Sequence, residues 1–246
     1  MQPFHRPGDT PVHRLPAQVK IVTALVFVLC VVATRRTEFL AFGLYFAVLA
    51  GVWTVARIPP VWLAKRALIE TPFVILALAL PFVAGGPTVD VLGVAVSEQG
   101  TLAGWNILAK GTLGVLVSLT LAATTSPRDL IVGLQRLRVP AMVITIATLM
   151  LRYLEVIAAE ARRMRTARIC RGHDPRFLWQ VGATARGIGT LFVRSYERGE
   201  RVHLAMVSRG WAGAMPDDPR PVGRSAWLLG LVPAAVAAAV LVGVSL

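Results

Sequence analysis

The chain has 246 residues, 55% of them hydrophobic and only 16% charged, with 26 basic against 13 acidic side chains and a formal charge of +13. A mean hydropathy of +0.64 excludes a soluble domain, because so little polar surface cannot cover a core, and leaves an integral membrane protein. The positive charge is localised rather than spread as on a nucleic-acid binder: 23 of the 26 cations are arginine, and 17 of the 26 fall between Arg128 and Arg224 against eight acids.

The first 18 residues, Met1 to Gln18, are polar, carry Pro3, Pro7, Pro11 and Pro16, and do not read as a secretory signal. A hydrocarbon core about 30 Å thick takes about 20 helical residues. On that measure five spans are predicted, at Gln18 to Thr34, Phe39 to Ala56, Leu68 to Ala84, Trp105 to Thr125 and Trp227 to Leu246, the third kinked by Pro72 and Pro81. Turn signals separate them at Arg35-Arg36, at Pro59-Pro60 and from Gly85 to Gly104. Arg6, Arg14 and Lys20 in the tail and Arg57, Lys65 and Arg66 in the second loop outweigh Arg35 and Arg36, which stand beside Glu38, so the tail is expected inside the cell. Four crossings then return the basic stretch to the cytoplasm, and the last puts the C-terminus outside. The expected organisation is a tail (1–17), a four-span bundle (18–126), a cytoplasmic amphipathic region (127–224) and a terminal span (225–246).

Between Pro127 and Gly210 the sequence is apolar in pieces. Val139 to Leu151 is short and ends at Arg152, and Phe177 to Val193 carries Arg186 at its middle, where lipid burial would cost about 2.5–3.5 kcal/mol. Both read as amphipathic helices. Arg152 to Arg171 is free of proline, with Glu155 and Glu160 early and Arg162, Arg163, Arg165, Arg168 and Arg171 late, which complements a helix dipole. Arg152 and Glu155 are expected to pair. A second helix is predicted from about Pro175 to Arg209, with Glu197 and Arg201 one turn apart. Gly172 and Gly210 stand as C-terminal caps, so each helix ends in Arg-Gly, a planar five-donor group at the tip of a rod. Such a group suits docking into an acidic groove of another protein.

The runs Thr125-Ser126-Pro127-Arg128-Asp129-Leu130, Leu134-Gln135-Arg136-Leu137-Arg138-Val139-Pro140, Leu151-Arg152-Tyr153-Leu154, Ala167 to Asp174 and Glu197 to Gly210, with Pro7-Gly8-Asp9-Thr10 in the tail, resemble the T component of energy-coupling factor transporters over most of the chain. Val96 to Gly100 and Gly104 to Lys110 are most similar to its cobalt-type CbiQ branch. The resemblance implies an all-α membrane protein whose two crossed cytoplasmic coupling helices, lying between the fourth and last spans, end in Ala-Arg-Gly-like motifs. Each motif docks on one of two ABC-type ATPase subunits. It makes Cys170-Arg171-Gly172 and Ser208-Arg209-Gly210 the coupling motifs, with Arg168, Glu197, Arg201 and Met206 in support. The chain departs from the pattern where Cys170 and Ser208 replace alanine, both small enough for close approach. The implied function is coupling of ATP hydrolysis by the partner ATPases to substrate release from a separate membrane capture (S) subunit, with cobalt or nickel ion as the substrate and a biotin or other vitamin transporter as the alternative. The implied location is the cell membrane, in contact with its lipid bilayer. The implied cofactor is none in this chain, with ATP bound by the partners.

Other classes fit less well. The lysines are followed by Ile21, Arg66 and Gly111, so no P-loop is present, and neither His-Glu-x-x-His nor Gly-x-Ser-x-Gly occurs; no enzymatic activity is expected. His5, His13, His173 with Asp174, His203, Cys30 and Cys170 show no ligand spacing, so no metal site is expected. Met142, Met150, Met164 and Met206 read as packing residues with an interface role. A membrane-anchored interaction or lipid-binding protein is the more distant alternative, and it would make the arginines act additively in a salt-sensitive way.

Overall fold

The computed structural model describes residues 6, 8–83, 85, 88–91, 94–172, 181–214 and 223–245. The fold is helical: α1 (Pro11–Arg14), α2 (Ala17–Ala33), α3 (Phe39–Ala56), α4 (Pro60–Ala67), α5 (Thr71–Val83), α6 (Glu98–Thr124), α7 (Pro127–Arg136), α8 (Ala141–Cys170), α9 (Val181–Val207) and α10 (Arg224–Ser245). The chain forms two compact units, Met1–Gly133 with Arg220–Leu246, and Leu134–Pro219.

In the first unit α6 lies against α2, α3, α4 and α5, while α10 packs on α2 and α3. Close helix approach in membranes relies on small residues, since lipid is as apolar as leucine. On α6 a Cβ at Gly104 would sit 2.5 Å from the Ala77 carbonyl of α5, and one at Gly111 would meet the Glu70 carboxylate at 2.7 Å. On α10 a Cβ at Gly230 would collide with the Val19 side chain of α2. The Gly230 carbonyl accepts from the Thr23 hydroxyl at 2.7 Å, three residues before Pro233 within α10. Phe27, Tyr45, Leu49, Leu63, Leu113 and Ala237 belong to one buried cluster. Its buried polar groups are engaged: Tyr45 and Thr34 share a hydrogen bond of 2.8 Å, and Trp53 Nε1 donates to Thr120 at 2.8 Å.

Two predicted boundaries move. The third span runs Pro60–Val83, with a 3-10 turn at Leu68–Glu70 between α4 and α5, because Pro60 starts a helix well and the Arg66 guanidinium lies over the Trp62 ring, 3.9 Å from its centroid. Lys65 and Arg66, expected in a loop, are therefore helical. The expected loop from Gly85 to Gly104 contains an antiparallel pairing of Thr88–Val91 (β1) with Val94–Ser97 (β2), and α6 starts at Glu98 because Ser97 caps it, accepting from the Gly100 amide at 3.2 Å.

Five helices are long and apolar enough to cross a membrane: Phe39–Ala56, Pro60–Val83, Glu98–Thr124, Ala141–Cys170 and Arg224–Val244. The number matches the expected five, but the membership differs. Ala17–Ala33, at 17 residues, is the shorter apolar helix, and α8 qualifies because it continues unbroken through Arg152, where the sequence reading stopped. The chain is thus an all-α, multi-pass membrane protein with one small hairpin.

Candidate functional site

The second unit is built on α8 and α9, of 30 and 27 residues, which at 1.5 Å per residue are about 45 and 40 Å long. The start of α9 expected at Pro175 lies outside the described residues, as do His173 and Asp174. Glu160 of α8 pairs with Arg194 of α9 and with Arg163 at 3.1 Å, while eight residues further along α8 the Arg168 guanidinium stands 3.0 Å from where a Gly187 Cβ would be. Rising numbers on one helix meet falling numbers on the other, so the two are antiparallel. Half-buried positions form one stripe on α9, at Gly187, Leu191, Ser195, Arg198, Val202 and Met206, the i, i+4, i+7 spacing of a packed helix face.

The Arg-Gly ends share a geometry. At the end of α8 the Gly172 amide donates to Ile169 at 3.0 Å and the Arg171 amide to Arg168 at 3.1 Å, with Gly172 at φ +78°. At the end of α9 the Gly210 amide donates to Val207 at 2.9 Å and the Trp211 amide to Met206 at 3.0 Å, with Gly210 at φ +80°. Both glycines hold the left-handed conformation that their place in the sequence predicts, and the end of α9 carries both hydrogen bonds of a Schellman motif. Cys170, Arg171, Gly172, Ser208, Arg209 and Gly210 are all exposed, and among the described residues neither guanidinium has a side-chain partner. Gly187 stands opposite Arg168, Arg171 lies three residues further along α8, and α9 runs on 20 residues from Gly187 to its end at Val207, so the two Arg-Gly ends stand about 35 Å apart along its axis.

The supporting residues are placed differently from one another. Glu197 and Arg201 approach at 3.9 Å on the exposed surface, where a pair contributes little. Arg168 faces the partner helix, and the Met206 carbonyl receives both the Arg209 and Trp211 amides. Arg152 and Glu155 do not form the expected pair; both are exposed and an exposed pair gains little over solvation. Sequence reasoning missed Glu160, Arg194 and Gly187, which join the rods, and Trp211, whose ring meets His203 edge-on at 5.7 Å as the apolar follower of a helix end. Glycine followed by tryptophan was the available signal for the last. Among the described residues no group of three His, Cys, Asp or Glu side chains is placed to hold a metal.

Outside that stripe, from its edge at Ile188 round to the far side, Ile188, Phe192, Tyr196, Leu204 and Val207 are each more than half exposed. The first half of α8 is also two-faced: Met142, Val143, Ile146, Met150 and Leu154 are exposed, while Thr145, Thr148, Arg152 and Glu155 lie on the opposite arc at 100° per residue.

Comparison with known proteins places this architecture. A family model described as CbiQ, cobalt transport protein, matches residues 8–220. The chain is 32% identical over 201 residues to the cobalt transport protein CbiQ of Rhodobacter capsulatus, covering 81% of this chain and 80% of that protein. It is 26% identical over 221 residues to the energy-coupling factor transporter transmembrane protein EcfT of Bacillus selenitireducens, covering 84% and 82%, and 29% identical over 231 residues to that of Limosilactobacillus fermentum, covering 87% and 84%. A membrane bundle joined to paired rods with matching ends, together with a match across most of its length, makes this chain a member of the CbiQ family of cobalt transport proteins.

Proposed function

We propose that this chain is the T subunit of an energy-coupling factor importer, the membrane part that links two ABC-type ATPases to a substrate-capture subunit. The observation that supports it most is the pair of matching Arg-Gly ends about 35 Å apart along α9, a spacing that seats one arginine on each of two separate ATPase subunits. ATP binding would close the ATPases, shift the antiparallel rods and pass the change to the spans. Such coupling requires that the arginines make different contacts in the two ATPase states. The exposed apolar face of α9 is the surface on which the rods meet the capture subunit, since a patch of that kind on a folded chain marks an interaction site. The chain itself is non-catalytic, and ATP belongs to its partners.

Orientation follows from α8. If it crossed the bilayer, the arginine-rich second unit would leave the side occupied by the tail. Its two-faced first half and the exposed arginines of its second half instead favour a helix lying at the inner boundary of the bilayer. Cys170 is exposed and Cys30 buried, so a membrane-impermeant maleimide should label Cys170 in inside-out vesicles and spare it in intact cells. Labelling from outside would overturn the orientation.

The coupling role is tested by an Arg171→Glu, Arg209→Glu double variant. Recovery of the ATPases with the purified chain should fall about tenfold or more, as expected for loss of interface anchors, with membrane insertion unchanged and uptake lost. Normal recovery and normal uptake together would refute it. Cobalt, with nickel beside it, is the substrate proposed on the strength of the family description and the Rhodobacter relative. The EcfT relatives carry no substrate in their names, which keeps biotin or another vitamin as the second reading; uptake of labelled cobalt against labelled biotin separates the two.

A further inference from the structure

The first unit holds a cavity of about 410 Å³ between α1, α2, α3, α6 and α10. Its walls include Phe27, Val48, Gly51, Val117 and Val236, with Pro233 from the middle of α10. The hydroxyls in the wall are engaged with main chain: Thr23 with Gly230, Thr120 with Leu116 and Thr124 with Thr120. What remains is apolar except for one charge. Lys20 lines the cavity, is only 9% exposed, and donates to the carbonyls of Thr124 at 2.8 Å and His13 at 3.1 Å. An ammonium has three donors, and among the described residues the third meets no acceptor and no carboxylate reaches ion-pair distance of it. The neighbouring Arg14 is held by Asp9 at 2.7 Å, whose carboxyl that guanidinium keeps below the usual range. Leu229, Val232 and Val55, also in the wall, are 69%, 52% and 51% exposed, so the cavity is bounded by residues that also face outward, toward lipid in a membrane protein.

A buried cation at one end of an apolar chamber of ligand-pocket size, walled by membrane helices, suits an amphiphile with an anionic head. We propose that this cavity holds one anionic phospholipid, an acyl chain within the apolar walls and the phosphate against Lys20. The competing account is that Lys20 only ties down the carboxyl end of α6, as a cation at a helix C-terminus does. That account gives the cavity no occupant.

The test is native mass spectrometry of the full chain, delipidated and then offered phosphatidylglycerol or phosphatidylcholine in equal amounts. One bound phosphatidylglycerol per chain is expected, preferred over phosphatidylcholine about fivefold, the ratio one cation near an anionic lipid supplies. Lys20→Met should bring the preference close to one. Gly51→Phe places a ring where a Cβ meets open space, fills the cavity with Lys20 intact, and should remove the bound lipid. Equal retention of both lipids by the parent chain, or unchanged retention by Gly51→Phe, would overturn the proposal whether or not Lys20→Met folds. Displacement of phosphatidylglycerol by millimolar inorganic phosphate alone would make this a free-anion site and overturn it equally.

Discussion

The two units use the same residue type for opposite ends. In the membrane bundle glycine marks contact: Gly104 and Gly230 sit where another helix presses so close that a methyl group would collide with it. In the paired rods glycine marks freedom: Gly172 and Gly210 have nothing within 4 Å of a Cβ and instead hold positive φ. The bundle buries Tyr45, Phe27 and Leu63 almost completely, whereas α8 buries only Ile144 and Thr145, and no residue of α9 is buried among those described. A unit that fills its own interior specifies its own shape. One that leaves phenylalanine, tyrosine and two arginine tips outside is shaped to be completed by other molecules.

The largest expected effect lies in the bundle. Gly104→Ala sets a methyl 2.5 Å from a main-chain oxygen, which cannot swing aside as a flexible side chain would. A loss of about 1–3 kcal/mol is expected from overpacking, read as a lower unfolding temperature in detergent. Gly114→Ala on the same helix meets nothing within 4 Å and should be neutral or slightly stabilising. If both behave alike, the α5–α6 seam is not tight and the contrast between the units fails.

A smaller, local effect is expected at a rod end. Gly210→Ala puts a side chain at φ +80°, a strain of about 1–2 kcal/mol, most easily relieved by unwinding the last turn. Helix content by circular dichroism should hold, while, under the coupling role proposed above, recovery of the ATPases should fall several-fold because Arg209 loses its fixed place. Gly210→Asn, which tolerates this conformation better, should fall between. Full recovery with alanine would show that the Schellman end does not aim the arginine.

Much of this was legible in the sequence, for reasons that differ along the chain. Phe39–Ala56 is apolar throughout, and its boundaries match the prediction. Gly172 and Gly210 were readable because glycine is the usual left-handed cap, whereas Arg57, which ends α3 in the same conformation at φ +53°, left no such signal. Charge misled elsewhere. Lys65 and Arg66 looked like a loop, but proline at N1 and a tryptophan beneath Arg66 make them helical. Arg152 looked like the end of an apolar segment, yet a helix continues through an arginine whose long stem reaches the surface. Lys20 counted only as topology until its burial against Thr124 appeared, since partners 104 residues apart leave no local trace. Glu70 was passed over for the same reason: its hydrogen bond from Thr112, at 3.2 Å, spans 42 residues.

The smallest effects would sharpen the comparison within the rods themselves. A Cβ at Gly187 would meet α8 through the far ends of Arg168, at 3.0 Å, and of Met164, at 3.8 Å, whereas one at Gly199 would meet nothing within 4 Å. Alanine in a helix interior gains about 0.5–1 kcal/mol over glycine through the unfolded chain. Gly199→Ala should keep that gain whole and raise the unfolding temperature slightly, whereas Gly187→Ala must displace a guanidinium and should come out near zero. The two sites differ only in whether α8 lies opposite, so their difference isolates the rod-to-rod contact from helix propensity. Equal gains would mean that the Arg168 and Met164 side chains yield to the methyl without cost; a loss at Gly187 would mean that the contact is as exacting as the seams of the bundle.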